Sequence, residues 1–249
     1  MDLQLKDRAY IVTGGTRGLG LAAARELVAD GAKVVVTGLK VTSPDAVVEE
    51  LGGPGNAVVV AADNADPRTP ERLIAAAREA FNRLDGALIS VGGPPAGPVE
   101  SITDEQWRAA FESAFLGAVR LSRSIAAQLG EGGAIGLVLS TSVYEPIPGL
   151  VLSNALRPGL AGYAKTLADE VGPRGIRVVG LVPAHIATDR ARELNALSGF
   201  GDAAVAGLPL RRQGAPEEFG RVAAFLLSPA ASYITGSMVS VDGGARAGF

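Results

Sequence analysis

A glycine-rich turn near the N-terminus constrains this chain more than any other feature. Tyr10-Ile11-Val12 reads as a β-branched strand and Leu19 to Asp30 as an Ala/Leu-rich helix. Between them stands Thr13-Gly14-Gly15-Thr16-Arg17-Gly18-Leu19-Gly20. Glycine accepts positive φ and lets the backbone come close to a ligand. A helix that opens straight out of such a turn offers unpaired N–H groups and the positive end of its dipole. Strand, tight glycine turn and helix in that order form a cradle for the pyrophosphate of a dinucleotide.

The same alternation runs to the C-terminus. Lys33 to Thr37, Ala57 to Ala61, Gly86 to Ser90, Ile135 to Leu139, Arg177 to Val182 and Met238 to Val241 are further strands. They are almost continuous apolar runs, as expected of a parallel sheet buried on both faces. Helices are predicted over Pro44 to Leu51, Glu71 to Arg83, Asp104 to Leu129 and Ser153 to Val171, the third capped by Ser101 or Thr103. The expected fold class is α/β, a single Rossmann-type doubly wound parallel sheet of about seven strands with helices on both faces. With no linker or repeat, residues 1–249 read as one domain.

Composition narrows the function classes. A net charge of −3 lacks the basic stripe of a nucleic-acid binder. No segment approaches 18 uncharged apolar residues, so no membrane span is expected. Met1-Asp2-Leu3-Gln4-Leu5-Lys6-Asp7 lacks the pattern of a signal peptide. There is no cysteine and one histidine, His185, which argues against disulfides and a metal centre. The expectation is a cytoplasmic protein acting on a small molecule.

Thr13-Gly14…Gly18-Leu19-Gly20 resembles the T-G-x-x-x-G-x-G pattern of the short-chain dehydrogenases/reductases. Further likenesses span the chain. Pro209-Leu210-Arg211…Pro216-Glu217-Glu218 is similar to that family's P-L-x-R-x-G-x-P-E-E segment, and Val241-Asp242-Gly243-Gly244 to its C-terminal strand. The nearest likeness is to 3-oxoacyl-carrier-protein reductases. It implies a nicotinamide cofactor held by Gly14, Thr16, Arg17, Gly18, Leu19 and Gly20, by Leu39 and Lys40, and by Asp63 and Asn64 around the adenine. Gly92, Arg157, Pro183 and Thr188 would border the nicotinamide half.

NAD enzymes carry an acid at the end of the second strand to hold the ribose 2′-hydroxyl. Thr37-Gly38-Leu39-Lys40 has none, and Arg17 and Lys40 suit a 2′-phosphate instead. NADP(H) is therefore expected over NAD(H).

The resemblance breaks at the catalytic positions. The family uses a tyrosine as proton donor, a lysine four residues later, a serine that positions the carbonyl, and an asparagine that anchors a water relay. Gly162-Tyr163-Ala164-Lys165-Thr166-Leu167-Ala168 is similar to its G-L-T-K-S-L-A. That register puts Ser153 at the tyrosine position, Arg157 at the lysine, Ser140 (or Ser142) at the serine and Ala114 at the asparagine. A serine hydroxyl is far less acidic than a phenol, and arginine does not relay protons near neutrality. Losing general acid catalysis costs on the order of 10²–10⁴ in rate.

His185 lies in Pro183-Ala184-His185-Ile186-Ala187-Thr188, which resembles the family's P-G-x-x-x-T loop over the nicotinamide, and is a candidate substitute acid. Tyr144 and Glu145 are others; Tyr163 reads as core or interface. Pro158 predicts a late start or a kink in the helix near Ser153–Arg157. Three functions stay open: an NADP(H)-dependent carbonyl reductase with an atypical proton donor, a non-redox cyclase, dehydratase or isomerase, and a catalytically silent nucleotide-binding protein. By the resemblance the chain is a homo-oligomer, a dimer or tetramer, pairing its two long helices.

Overall fold

The computed structural model describes residues 1–198 and 205–248. Its strands are β1 (Ala9–Val12), β2 (Lys33–Gly38), β3 (Ala57–Ala61), β4 (Gly86–Ile89), β5 (Ala134–Val138), β6 (Arg177–Pro183) and β7 (Met238–Val241). They form one seven-stranded sheet in the order β3-β2-β1-β4-β5-β6-β7. Every pair is parallel. Side chains alternate across it. Ile11 enters one apolar cluster, whereas Tyr10 and Val12 enter the other. Both faces are thus buried, as the unbroken apolar strands predicted.

One face is covered by α1 (Gly18–Ala29) and α8 (Pro216–Leu227), through Leu27, Phe219 and Leu227. The other is covered by α3 (Thr69–Phe81), α5 (Gly117–Ala126) and α6 (Val151–Val171), through Leu73, Leu121, Ile125 and Leu160. The short helices α2 (Pro44–Glu50), α4 (Asp104–Ala110) and α7 (Asp189–Ser198) lie in the remaining connections. Thr103 caps α4 by accepting from Gln106 N–H, and the Gln106 side chain accepts from Thr103 N–H. This is a capping box, and it settles the choice between Ser101 and Thr103.

Two helices differ from expectation. The long helix over Asp104–Leu129 is interrupted by a π-helical stretch, Phe111–Leu116, before α5 ends at Ala126. Extra-residue turns of this kind often sit at functional sites, and this one carries the buried Ala114. Of the late start or kink expected of α6 near Ser153–Arg157, the late start is corrected. The helix begins at Val151 and continues through Pro158. An interior proline costs about 3 kcal/mol. Leu152, Leu156 and Leu160, all on the buried face, each contribute about 1.5–3 kcal/mol. Burial therefore outweighs the lost bond. Asn154 adds a clamp, accepting from Ile147 N–H and donating to its carbonyl.

Strand order reverses between β1 and β4, and that switch point opens a crevice beyond the carboxyl ends of the strands. Thr13 closes its floor. Its N–H donates to the Leu88 carbonyl, and its hydroxyl bridges the Ser90 carbonyl and N–H. No described helix is long and apolar enough to cross a membrane.

Candidate active site

The glycine turn occupies one wall of the crevice. Gly14 and Gly18 have φ of 59° and 56°. A Cβ on Gly14 would stand 2.8 Å from the Ser90 carbonyl oxygen, and one on Gly20 would run into the Gly14 carbonyl. Neither position has room for a side chain, so the turn presents bare backbone to the crevice. Arg17 takes the N-cap position of α1 in extended conformation, with no side-chain cap on the helix N–H groups and no acid in the first turn. Those N–H groups are available to an anion. The residues present fit a dinucleotide.

Of the other cofactor candidates, the end of β2 and the loop after β6 are shown against this turn. A Cβ on Gly38 would meet the Thr16 hydroxyl at 2.5 Å, so the end of β2, followed by the exposed Leu39 and Lys40, lies against the turn carrying the exposed Arg17. Leu19 packs against the core below. Asp63 is exposed; its carboxylate accepts from Ala65 N–H and its carbonyl from the Thr69 hydroxyl. Asn64 lies against Gly117 at the start of α5. Pro183 ends β6, and the Thr188 methyl comes to 4.0 Å of a Cβ built on Gly18. The loop after β6 thus faces the glycine turn. Gly92 is exposed with open space around it.

Deeper in, Ser140, Ser153 and Arg157 line a single cavity of about 130 Å³ together with Gly93, Pro94, Pro95, Leu150, Arg190 and Leu194. β5 delivers Ser140 at its end, and α6 delivers Ser153 and Arg157 one turn apart on one face. The two serine candidates divide. Ser140 lines the cavity, whereas Ser142 is buried behind it, its hydroxyl 3.0 Å from that of Ser153. Arg157 is 6% exposed and donates from Nη1 to the Val138 carbonyl at 2.6 Å. Burial pulls its guanidinium down to about 10, with no carboxylate among the described residues beside it to restore the charge. It still carries its proton at neutral pH.

His185 stands elsewhere. It lines a second cavity with Leu208, Leu210, Arg212, Glu218 and Asp242, and has a left-handed φ of 51°. The structure does not bring it to the cavity that holds Ser153. Tyr144 donates to the Met238 carbonyl, with the Arg246 guanidinium 3.7 Å above its ring. Glu145 is exposed. The Tyr163 hydroxyl pairs with that of Ser122, and partial burial raises its pKa. Arg190 was not foreseen from the sequence. Its guanidinium donates to the Pro94 carbonyl at 2.7 Å and packs on Gly93, where a Cβ would stand 2.7 Å from Nε. In the sequence only its closeness to Thr188 marked it, and Arg192 shares that.

Fold and crevice together define a Rossmann-type dinucleotide-binding scaffold. The model of a family described as enoyl-(acyl carrier protein) reductase matches residues 14–246. A 3-oxoacyl-[acyl-carrier-protein] reductase of Synechocystis is 33% identical over 96% of this chain and 97% of its own. A short-chain dehydrogenase/reductase (glucose/ribitol dehydrogenase) from Brucella melitensis superposes with a TM-score of 0.93 at 30% identity, covering all of both chains. A short-chain dehydrogenase from Burkholderia cenocepacia, in complex with NADP, does so with a TM-score of 0.90 at 32% identity, over 98% of this chain and all of its own. The chain belongs to the short-chain dehydrogenase/reductase family, with an acyl-carrier-protein-reductase-like sequence.

Proposed function

We propose that the protein is an NADP(H)-dependent reductase that converts a carbonyl, of ketone or 3-oxoacyl type, to an alcohol without a side-chain acid. The observation that carries this reading is the cavity of Ser140, Ser153 and Arg157 at the crevice that also holds an open glycine cradle. NADPH, when bound, supplies the hydride. Ser140 and Ser153 offer hydroxyls to orient the carbonyl oxygen. Arg157 presents a fixed cation where negative charge develops on that oxygen, and the reduced dielectric of a buried site strengthens it. Among the described residues no histidine, carboxyl or phenol lines the cavity, so the proton that completes the alcohol comes from water in this reading. The exposed Arg17 and Lys40, with no acid at the end of β2, support NADP(H) over NAD(H). The Burkholderia relative, solved with NADP, supports the same cofactor.

Calorimetric titration with NADPH and NADH, followed by turnover of simple ketones and 3-oxoacyl thioesters, tests the reading. Tighter NADPH binding and ketone-dependent NADPH oxidation are expected. Failure to bind either cofactor, or binding without oxidation by any carbonyl, refutes it. A homo-oligomer, dimer or tetramer, is part of the same proposal. Phe111 supports it, being 45% exposed and stacked on Phe115 beside α4. Light scattering in solution measures the oligomer directly.

A further inference from the structure

We infer that the cavity beside Ser153 selects a carbonyl substrate bearing its own carboxylate, with Arg190 as the anchor. The inference deepens the reductase reading and rests on it for the carbonyl. It stands on the charge and construction of the walls. Two guanidinium-bearing residues and two serines supply the polar lining; the rest is Gly93, Pro94, Pro95, Leu150 and Leu194. None of these lining residues is an acid, although the whole chain carries a net charge of −3. The positive wall is therefore local.

Each cation is held in place by neutral backbone. Arg157, buried, donates to the Val138 carbonyl. Arg190 donates to the Pro94 carbonyl, and the bare Cα of Gly93 gives its Nε room. Among the described residues Arg190 pairs with one acid, the exposed Glu193, 3.4 Å from Nη1 on the α7 side. The Arg190 side chain stays 37% exposed and is open to an entering anion, while Arg157 on the same cavity is desolvated and gains from negative charge brought near it. Guanidinium forks also match a carboxylate in geometry. With Arg157 directed to the developing oxyanion, Arg190 at the rim is the group left to receive the carboxylate.

Acetoacetate and its methyl ester test this on the full-length protein with NADPH, because the ester keeps the ketone and removes the charge. The acid is expected to exceed the ester in kcat/KM by about tenfold or more, the worth of one charge-assisted contact. R190Q should collapse that ratio towards one, chiefly through KM for the acid, and R190K should restore much of it. Equal or better use of the ester by the unaltered protein overturns the inference while leaving the reductase reading intact. If neither compound is reduced, calorimetric binding decides. Acid bound about tenfold tighter than ester, with the difference lost in R190Q, supports the anion site while the reductase reading falls. Equal binding overturns the anion site as well.

Discussion

Arg157 stands among apolar and serine neighbours with one backbone acceptor, where an ordinary family member would place a lysine. Its folded pKa, about 10, lies below the ordinary 12.5. The folded state thus binds the proton less tightly than the unfolded chain, and the unfavourable burial is relieved only as pH rises through about 10 towards 12.5. At neutral pH both states are protonated and the full penalty applies. R157M removes a desolvated charge, worth several kcal/mol, and leaves the Val138 carbonyl without its donor, a loss of about 1–3 kcal/mol. The variant should melt no lower than the parent in thermal denaturation. NADPH-dependent turnover should fall by about 10²-fold or more, because a preorganised cation is missing in the transition state. A large drop in melting temperature would mark Arg157 as structural instead.

Among the elements, the turn before α1 and the start of α8 show opposite ways of handling a helix N-terminus. The turn leaves its N–H groups free and relies on backbone closeness, so G20A should be severe. The added Cβ meets the Gly14 carbonyl, and the cradle must spread. NADPH affinity should fall more than tenfold in titration, with about 1–3 kcal/mol of stability lost to overpacking. At α8 the Glu218 carboxylate accepts from Ala215 N–H and takes a two-pronged contact from Arg212. Those contacts, the arginine's first, hold its pKa at about 2 against an ordinary 4.5. The stabilisation is complete above the unfolded value and is lost as pH falls through the folded one. The stability difference between the parent and E218Q should therefore be constant above about pH 5 and shrink between 4.5 and 2 in denaturant titrations. Solvent exposure of the pair keeps it small.

For the molecule as a whole, the second buried arginine is a tie between layers. Arg177 at the start of β6 donates to the Leu226 and Ser228 carbonyls at the end of α8 and to the Ile234 carbonyl before β7. It thus joins sheet, helix and edge strand. R177M, unlike R157M, strips donors from several carbonyls at once and should cost about 2–4 kcal/mol in urea unfolding. A neutral result would mean that water replaces it. The resemblance marked Arg157 in the chain, but nothing there marked Arg177 as a tie. The role of Arg177 follows only from its surroundings, the three carbonyls that converge on it.

Much of this protein is written locally. Strand and helix periods and the Gly14–Gly20 turn are short-range patterns, set by backbone sterics and by which face each side chain must bury. They sufficed for the doubly wound sheet, whereas Ser140, Ser153 and Arg157 were picked out by the family resemblance, and the structure lines one cavity with all three. Local rules failed at Pro158, where the burial of three leucines overrode an intrinsic helix breaker, and in the long helix, where a π turn interrupted the period. What only the tertiary structure decided is which loops meet at the end of the sheet. His185 and Arg190 are five residues apart, yet one lines the cavity of Leu208 and Glu218 and the other closes on Gly93 and Pro94. That outcome depends on strand order and on contacts between segments nearly a hundred residues apart, and no local pattern carries such distances.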